Sequence, residues 1–229
     1  MANVHADGSF SNRSRTRRFA AFEQLVDPLL HDPSRPVRIL DIGGRSSFWE
    51  QRGWAERDDV QIVIVNLAEE LVAEEGDGPT HPSIELRVGD ATDLSAYPDG
   101  AFDVVFSNSV IEHLATYEHQ SAMAREVERL APICWVQTPN FWFPVEPHFL
   151  TPAWHWLPER HRVALLQRRR WGWCGPCPDI DEARLRVREV RLMRGSELRR
   201  LFPDAKLQRE RIGPLVKSFV AVREPSETR

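Results

Sequence analysis

Short apolar runs alternate with helical stretches between residues 37 and 137, and this alternation constrains the fold more than any other feature of the chain. Four runs have the length of buried strands, and each is followed by small or polar residues. These runs are Val37 to Leu40, Val60 to Val65, Ile84 to Val88 and Phe102 to Phe106. Tyr117 to Leu130 has apolar residues at helical spacing, and Ile133 to Gln137 follows as a fifth strand. Such an alternation predicts an α/β fold with a doubly wound, mostly parallel sheet.

The segments on either side extend this block into a predicted single domain of residues 1–229. Residues 1–36 are predicted as an N-terminal arm and helix: Met1 to Arg15 is polar and aperiodic, and helical spacing of apolar residues follows it. Ala205 to Ile212 and Leu215 to Val222 predict a closing strand pair with antiparallel character. The sheet should therefore contain seven strands.

Residues 141–181 interrupt the rhythm of strands and helices. Tryptophan and phenylalanine are crowded among prolines there without a clean period, which predicts an inserted, aromatic-rich cap. Phe141, Trp142 and Trp154 are candidates to bind the substrate by walling an apolar or aromatic site. The alternative is that these side chains form a small core of the cap itself.

The composition restricts the classes of partner. With 34 acidic and 30 basic residues the net charge is −4, which does not indicate a surface for nucleic acid. No run approaches the roughly 20 apolar residues of a membrane span, and three cysteines do not make a disulfide framework. We therefore expect a cytoplasmic protein with a small-molecule substrate, and with neither nucleic acid nor membrane as a partner. The oligomeric state stays open between a monomer and a homodimer.

The loops after the first four predicted strands carry residues suited to binding a ligand. Ligands of an open parallel sheet bind beyond the carboxyl ends of its strands, near the point where the strand order reverses. Glycines after the first strand allow close approach to the backbone, and polar residues after the others offer hydrogen bonds. These residues are Asp41, Gly43 and Gly44, then Asn66, then Gly89, Asp90 and Ala91, and then Ser107, Asn108 and Ser109.

Three stretches of the sequence resemble the class I S-adenosylmethionine-dependent methyltransferases. They are Val37-Arg38-Ile39-Leu40-Asp41-Ile42-Gly43-Gly44, Val88-Gly89-Asp90-Ala91 and Phe102 to Leu114. The resemblance implies a Rossmann-like fold and S-adenosylmethionine as the cofactor. It also implies that the glycine loop binds the methionine part of the cofactor, that Asn66 binds its ribose, and that Asp90 and Ala91 bind its adenine. Asn108 would form the floor under the sulfonium. The implied cofactor-binding residues are Asp41, Gly43, Gly44, Asn66, Leu67, Asp90, Ala91, Asn108 and Ser109.

Two features depart from the usual pattern of that family. Arg45 and Ser47 stand where the first loop usually has further glycines. Asn66 ends the second predicted strand, where an acidic residue is usual. A neutral amide should bind the ribose hydroxyls more weakly than a carboxylate.

The implied reaction is transfer of a methyl group to an oxygen, nitrogen, sulfur or carbon atom of a small molecule, such as a sugar, a lipid-like compound or another natural product. A general base would raise the rate by a factor of about 10²–10⁴. Its candidates near the carboxyl edge of the sheet are His113, Glu146 and His148, of which we favour His148. The alternatives are that His113 packs on the following helix and that Glu146 and His148 belong to a proline-held turn. No metal site is predicted.

Two other functions remain open. The segment Trp173-Cys174-Gly175-Pro176-Cys177 has the same letters as the active-site segment of thioredoxins, which suggests a thiol redox protein. However, neither a strand before it nor a helix after it is evident, so a turn with incidental thiols is favoured. The other alternative is a methyltransferase-like domain that binds its cofactor or a partner without catalysis.

Overall fold

A computed structural model describes residues 10–31, 34–67, 81–172 and 174–224. Its strands are β1 (Val37–Ile42), β2 (Val60–Asn66), β3 (Ile84–Val88), β4 (Val104–Asn108), β5 (Ile133–Pro139), β6 (Val145–Glu146), β7 (Thr151–Pro152), β8 (Lys206–Ile212) and β9 (Leu215–Arg223). Seven of them form one sheet in the order β3-β2-β1-β4-β5-β9-β8, and β6 pairs with β7 separately. The first five strands run parallel, whereas β9 is antiparallel to both β5 and β8. The predicted seven-stranded, mostly parallel sheet is confirmed.

The strand order reverses between β1 and β4, which are hydrogen-bonded neighbours in the centre of the sheet. From β1 the chain steps outward to β2 and β3, and it then returns to build the other half from β4. The loops that leave β1 and β4 therefore diverge at the carboxyl edge and open a crevice between them. Both strands are almost fully buried, as expected for central parallel strands covered on two faces.

The helices are α1 (Phe10–Leu30), α2 (Ser46–Glu50), α3 (Tyr117–Leu130), α4 (Glu159–Arg168), α5 (Ile180–Arg188) and α6 (Gly195–Leu201), with short 3-10 helices at Ile111–His113 and Trp154–Trp156. The predicted helix Tyr117 to Leu130 is confirmed. It begins there because the hydroxyl of Thr116 accepts the backbone N–H of His119 at 3.2 Å and so caps the first turn. Within the described residues, no helix is both long and apolar enough to cross a bilayer.

Two apolar cores lie on the two faces of the sheet. On one face, Phe19 and Phe22 of α1 pack among aromatic rings that include Trp49, Phe106 and Trp135. The other face is covered by α3 and α6. Burying a large apolar side chain contributes about 1.5–3 kcal/mol to the stability of the fold. The apolar side chains that α1 and α3 bury against the two faces of the sheet therefore fix the positions of these helices.

The predicted loose arm is wrong where it can be checked, because α1 begins at Phe10 rather than after Arg15. Once Phe19 and Phe22 dock on the sheet, each further residue added to the helix gains a hydrogen bond without a new nucleation cost. Polar composition alone therefore did not prevent helix formation. Residues 1–9 of the predicted arm lie outside the described residues.

The cap lies between β5 and α6 and is larger than predicted. It contains the β6–β7 hairpin, α4 and α5, and α5 continues beyond the predicted boundary at Asp181 to Arg188. The reason is that Ala183 and Val187 of α5 complete a separate apolar core of the cap. The buried members of this core are Phe149, Trp154, Val163, Leu166, Cys177, Ala183 and Val187.

Candidate functional site

A cavity of about 880 Å³ opens at the carboxyl edge of the sheet, beside the loops that follow β1 and β4. The N-terminal half of α1 forms its opposite wall, so the cavity lies between the sheet and this helix. Five of the predicted cofactor-binding residues line it. They are Asp41, Gly43, Gly44, Asn108 and Ser109. Helix α1 adds Arg15, Thr16, Phe19, Ala20 and Glu23, the segment around α2 adds Arg45, Ser47, Phe48, Gln51 and Arg52, and β4 adds Phe106.

The loop after β1 requires glycine at both of its predicted positions. Gly43 has a φ of +71°, in the left-handed region that side chains with a Cβ rarely adopt. A Cβ on Gly44 would lie 1.7 Å from Oδ2 of Asp41, so the missing side chain makes room for this buried carboxylate. The indole N–H of Trp49 donates to the same oxygen at 2.7 Å, and the amide of Asn66 donates to the carbonyl of Gly44 at 2.9 Å. The loop is therefore held in one shape.

Three other predicted cofactor residues lie further out. Asp90 closes a local turn, in which its Oδ1 accepts the backbone N–H and the hydroxyl of Thr92, both at 2.8 Å. Ala91 packs against the core, and Leu67 is 73% exposed. Contact of Asp90 and Ala91 with the adenine, and of Leu67 with the cofactor, stays a prediction, since these residues do not belong to the lining of the cavity.

Arg18 of α1, which sequence reasoning missed, binds Asn108 of the cavity lining. Its guanidinium donates to Oδ1 of Asn108 and, at 3.0 Å, to Oε1 of Gln137. It also forms a bidentate pair with Glu210 of β8, at 2.8 and 2.6 Å. The hydroxyl of Ser109 donates to the same oxygen of Gln137 at 2.7 Å. One side chain therefore ties α1 to three strands, yet its partners are too distant in the chain for any local pattern to reveal it.

A second group of polar side chains begins just after β4, a few residues beyond the lining residues Asn108 and Ser109 in the sequence. Here the three candidate catalytic residues come together, as predicted for one edge of the sheet. His113 packs edge-to-face on His148 with ring centroids 4.8 Å apart, and Nδ1 of His148 lies 2.7 Å from Oε1 of Glu146. Glu112, which sequence reasoning passed over, joins them. One ligand atom each of Glu112, His113 and His148 lie within 4.8 Å of one another.

The surroundings of these groups move their pKa values in different directions. Burial raises the pKa of Glu112 to about 7, although a hydrogen bond from Thr138 favours its charged form. Desolvation, reinforced by the charge of His148, lowers the pKa of His113 to about 4. Desolvation also opposes charge on His148, but its hydrogen bond and charge pairing with Glu146 outweigh this and raise its pKa. Groups with such divergent pKa values in one cluster are typical of functional sites.

The aromatic residues of the cap divide into two sets. Trp154 is buried and stacks on Phe149 with ring centroids 4.4 Å apart, so it belongs to the core of the cap, as the alternative prediction had it. Trp142 is 59% exposed and packs edge-to-face on Phe141. The guanidinium of Arg194 lies over both of these outer rings. Phe141 and Trp142 thus remain the candidates for contact with a substrate.

The two neighbouring cysteines lack the features of a redox site. Cys177 is buried in the core of the cap, Cys174 is half-buried, and burial raises the pKa of both thiols. A reactive cysteine needs the opposite shift, usually at a helix N-terminus. Here α5 begins only at Ile180, beyond both residues. Trp173 lies outside the described residues, and the arrangement fits a turn with structural thiols.

Comparisons with known proteins agree with this geometry. Residues 40–132 match the model of the methyltransferase domain family. Ajmaline N-methyltransferase of Rauvolfia serpentina is 32% identical over 129 residues, which are 49% of this chain and 40% of that protein. This chain therefore aligns with less than half the length of that relative.

Solved structures share the fold at low identity. The magnesium protoporphyrin IX methyltransferase of Synechocystis PCC 6803, with bound SAH, superposes with a TM-score of 0.55 at 14% identity, over 94% of this chain and 88% of that one. The N-terminal domain of EvdMO1, determined with SAH and D-fucose, gives a TM-score of 0.54 at 18% identity, over 95% and 85%.

Proposed function

Because this chain belongs to the class I S-adenosylmethionine-dependent methyltransferases, we propose that it transfers a methyl group from S-adenosylmethionine to a small-molecule acceptor such as a sugar, a lipid-like metabolite or another natural product. The net charge of −4 disfavours a polyanionic acceptor. The names of its relatives also support a small acceptor, since they mention ajmaline, magnesium protoporphyrin IX and D-fucose.

The observation that carries this proposal is the cavity at the switch point of the sheet. Its lining suits each charged part of S-adenosylmethionine: Asp41 and Glu23 can face the ammonium and sulfonium groups, and Arg45 and Arg52 can face the carboxylate. The loop with Gly43 lets the ligand approach the backbone closely. The residues present therefore fit the cofactor of this family.

The residues of this chain contribute chiefly by positioning and by excluding water. S-adenosylmethionine supplies an electrophilic methyl group, and holding the acceptor atom in line with it is worth up to roughly 7–11 kcal/mol of the barrier. Asn108, fixed by Arg18, would form the floor of the reaction site. On the acceptor side, Glu146 holds Nδ1 of His148, which leaves Nε2 free to take a proton from the acceptor.

Calorimetric titration with S-adenosylmethionine and S-adenosylhomocysteine tests the first half of the proposal. We expect one site per chain, and absence of binding would refute the proposal. The second half is tested by transfer of a radiolabelled methyl group to a panel of sugars, phenols and amines. Binding without transfer to any acceptor of the panel would favour a methyltransferase-like domain that only binds its cofactor.

A further inference from the structure

Glu112, His113 and His148 offer one carboxylate oxygen and two ring nitrogens, one from each residue, within 4.8 Å of one another. The first two residues belong to the 3-10 helix directly after β4, and the third lies in the turn after β6. The segment that follows β4 thus supplies two of these side chains, and the cap supplies the third. Two histidines and a carboxylate are a common set of protein ligands for divalent transition metals.

One carboxylate oxygen of Glu112 lacks a hydrogen-bond partner among the described residues, and a bound cation would supply a partner for it. The side chain is fully buried, and Thr138 donates to its Oε2 at 3.0 Å. Its other oxygen, Oε1, is buried without a hydrogen-bond partner among the described residues. A buried carboxylate with an unsatisfied oxygen is costly unless it is paired or binds a metal.

His148 is oriented as a metal ligand would be. Glu146, whose side chain is only 2% exposed, binds Nδ1 of His148 at 2.7 Å. The other carboxylate oxygen of Glu146 accepts the backbone N–H groups of His148 and Phe149 at 2.7 and 2.6 Å, so this carboxylate cannot rotate freely. A carboxylate that holds one ring nitrogen and directs the other outward is the usual outer partner of a metal-bound histidine.

We propose that Glu112, His113 and His148 bind a divalent transition-metal ion of the Zn²⁺ type, with Glu146 as the residue that orients His148. Three protein ligands leave at least one coordination position open. Glu112 is the buried member of the cluster and His113 the exposed one, so the cluster borders on solvent on the side of His113. Asn108 at the end of β4 and Ser109 directly after it line the neighbouring cavity proposed for the cofactor.

The ion would hold a hydroxyl group of the acceptor. This role of the ion rests on the proposed methyl transfer, whereas binding of the ion is independent of it. Coordination lowers the pKa of the hydroxyl, and its proton passes to solvent. The oxygen lone pair then forms the bond to the methyl carbon while the carbon–sulfur bond breaks, which gives the methyl ether and S-adenosylhomocysteine. In this arrangement Nε2 of His148 is a metal ligand rather than the proton acceptor.

The test uses the untagged full chain, dialysed against EDTA and then freed of the chelator. We expect calorimetry with ZnCl₂ to give one ion per chain and CoCl₂ to give a visible d–d absorption band. Glu112→Gln and His148→Ala should each weaken Zn²⁺ binding by more than about 100-fold, and Glu146→Gln by about 10–100-fold with all ligands intact. His119→Ala is the matched control, since His119 is exposed on α3 outside the cluster, and it should bind like the wild type.

The proposal is overturned if the wild type binds no Zn²⁺, if it binds Mg²⁺ as tightly as Zn²⁺, or if Glu112→Gln and His148→Ala bind as the wild type does. S-adenosylmethionine titration of every variant checks that it is folded. Zn²⁺ binding without S-adenosylmethionine binding would refute the methyltransferase function and leave the metal site. The reverse result would refute the metal site alone.

Discussion

The cofactor side of the site and the cap are built by different rules. On the cofactor side, the candidate binding residues lie at or just beyond the carboxyl ends of strands, so pairing of β1 with β4 brings Asp41 and Asn108 to the same edge. In the cap, His148 reaches the site only because a hairpin and two helices fold around their own small core. The topology of a doubly wound sheet is thus enough to place the proposed cofactor site, whereas the proposed acceptor side depends on a separately packed insertion.

The largest effect should come from Gly44→Ala, which tests how rigid the cofactor side is. The new methyl group would lie 1.7 Å from the carboxylate of Asp41, so either the loop or this side chain must move. We expect loss of measurable S-adenosylmethionine binding by calorimetry. Gly175→Ala in the cap is the matched control, because nothing lies within 4 Å of the added Cβ, and it should bind normally. Unchanged binding by Gly44→Ala would show that the cofactor lies elsewhere.

His148→Ala separates the two regions functionally. Loss of a general base or of a metal ligand should slow methyl transfer by about 10²–10⁴ in kcat. The dissociation constant of S-adenosylmethionine should stay within about twofold, since His148 does not line the cofactor cavity. The measurements are single-turnover transfer and calorimetry. An equal loss of binding and rate would contradict the separation.

Two buried tryptophans allow the same comparison through stability. Trp154 lies in the core of the cap, and Trp49 lies beneath the glycine loop with its indole N–H on Asp41. Replacing either with alanine should cost about 3–5 kcal/mol of local or global stability. For Trp154→Ala, hydrogen exchange should rise in α4 and α5 while S-adenosylmethionine binding persists. For Trp49→Ala, binding of S-adenosylmethionine should be lost. The same outcome in both variants would mean that the two regions unfold together.

Arg18→Met tests the link between α1 and the sheet. The side chains of Arg18 and Glu210 are 10% and 18% exposed, and removing one partner leaves the other charge poorly solvated. We expect a loss of about 3 kcal/mol in the free energy of unfolding. Weaker cofactor binding should accompany it, because α1 forms one wall of the cavity. The double variant with Glu210→Met should recover part of the stability in urea unfolding; no recovery would mean that the ion pair is not the cause.

The sequence determined the sheet and the glycine loop by itself. The buried parallel strands β1, β2, β4 and β5 leave nearly continuous apolar runs, so their positions were readable from local pattern, as was that of helix α3. The edge strand β3 is only partly buried, and its place followed from the alternation of strands and helices. Gly43 and Gly44 were readable as a glycine loop that directly follows an apolar strand. The positive φ of Gly43 and the position of the Asp41 carboxylate beside Gly44 then account for both glycines. The family resemblance then added the identity of the cofactor.

Only the tertiary structure decided how the sheet edge becomes a site. The bonds of Arg18 to Asn108, Gln137 and Glu210 join positions that are 90, 119 and 192 residues apart, and no periodicity records such contacts. Glu112 reads as one more residue in an apolar stretch until its burial beside His148 makes it a candidate ligand. The physical reason is that residue type and periodicity are local properties of the chain, whereas burial, charge pairing and side-chain hydrogen bonds depend on which elements pack together.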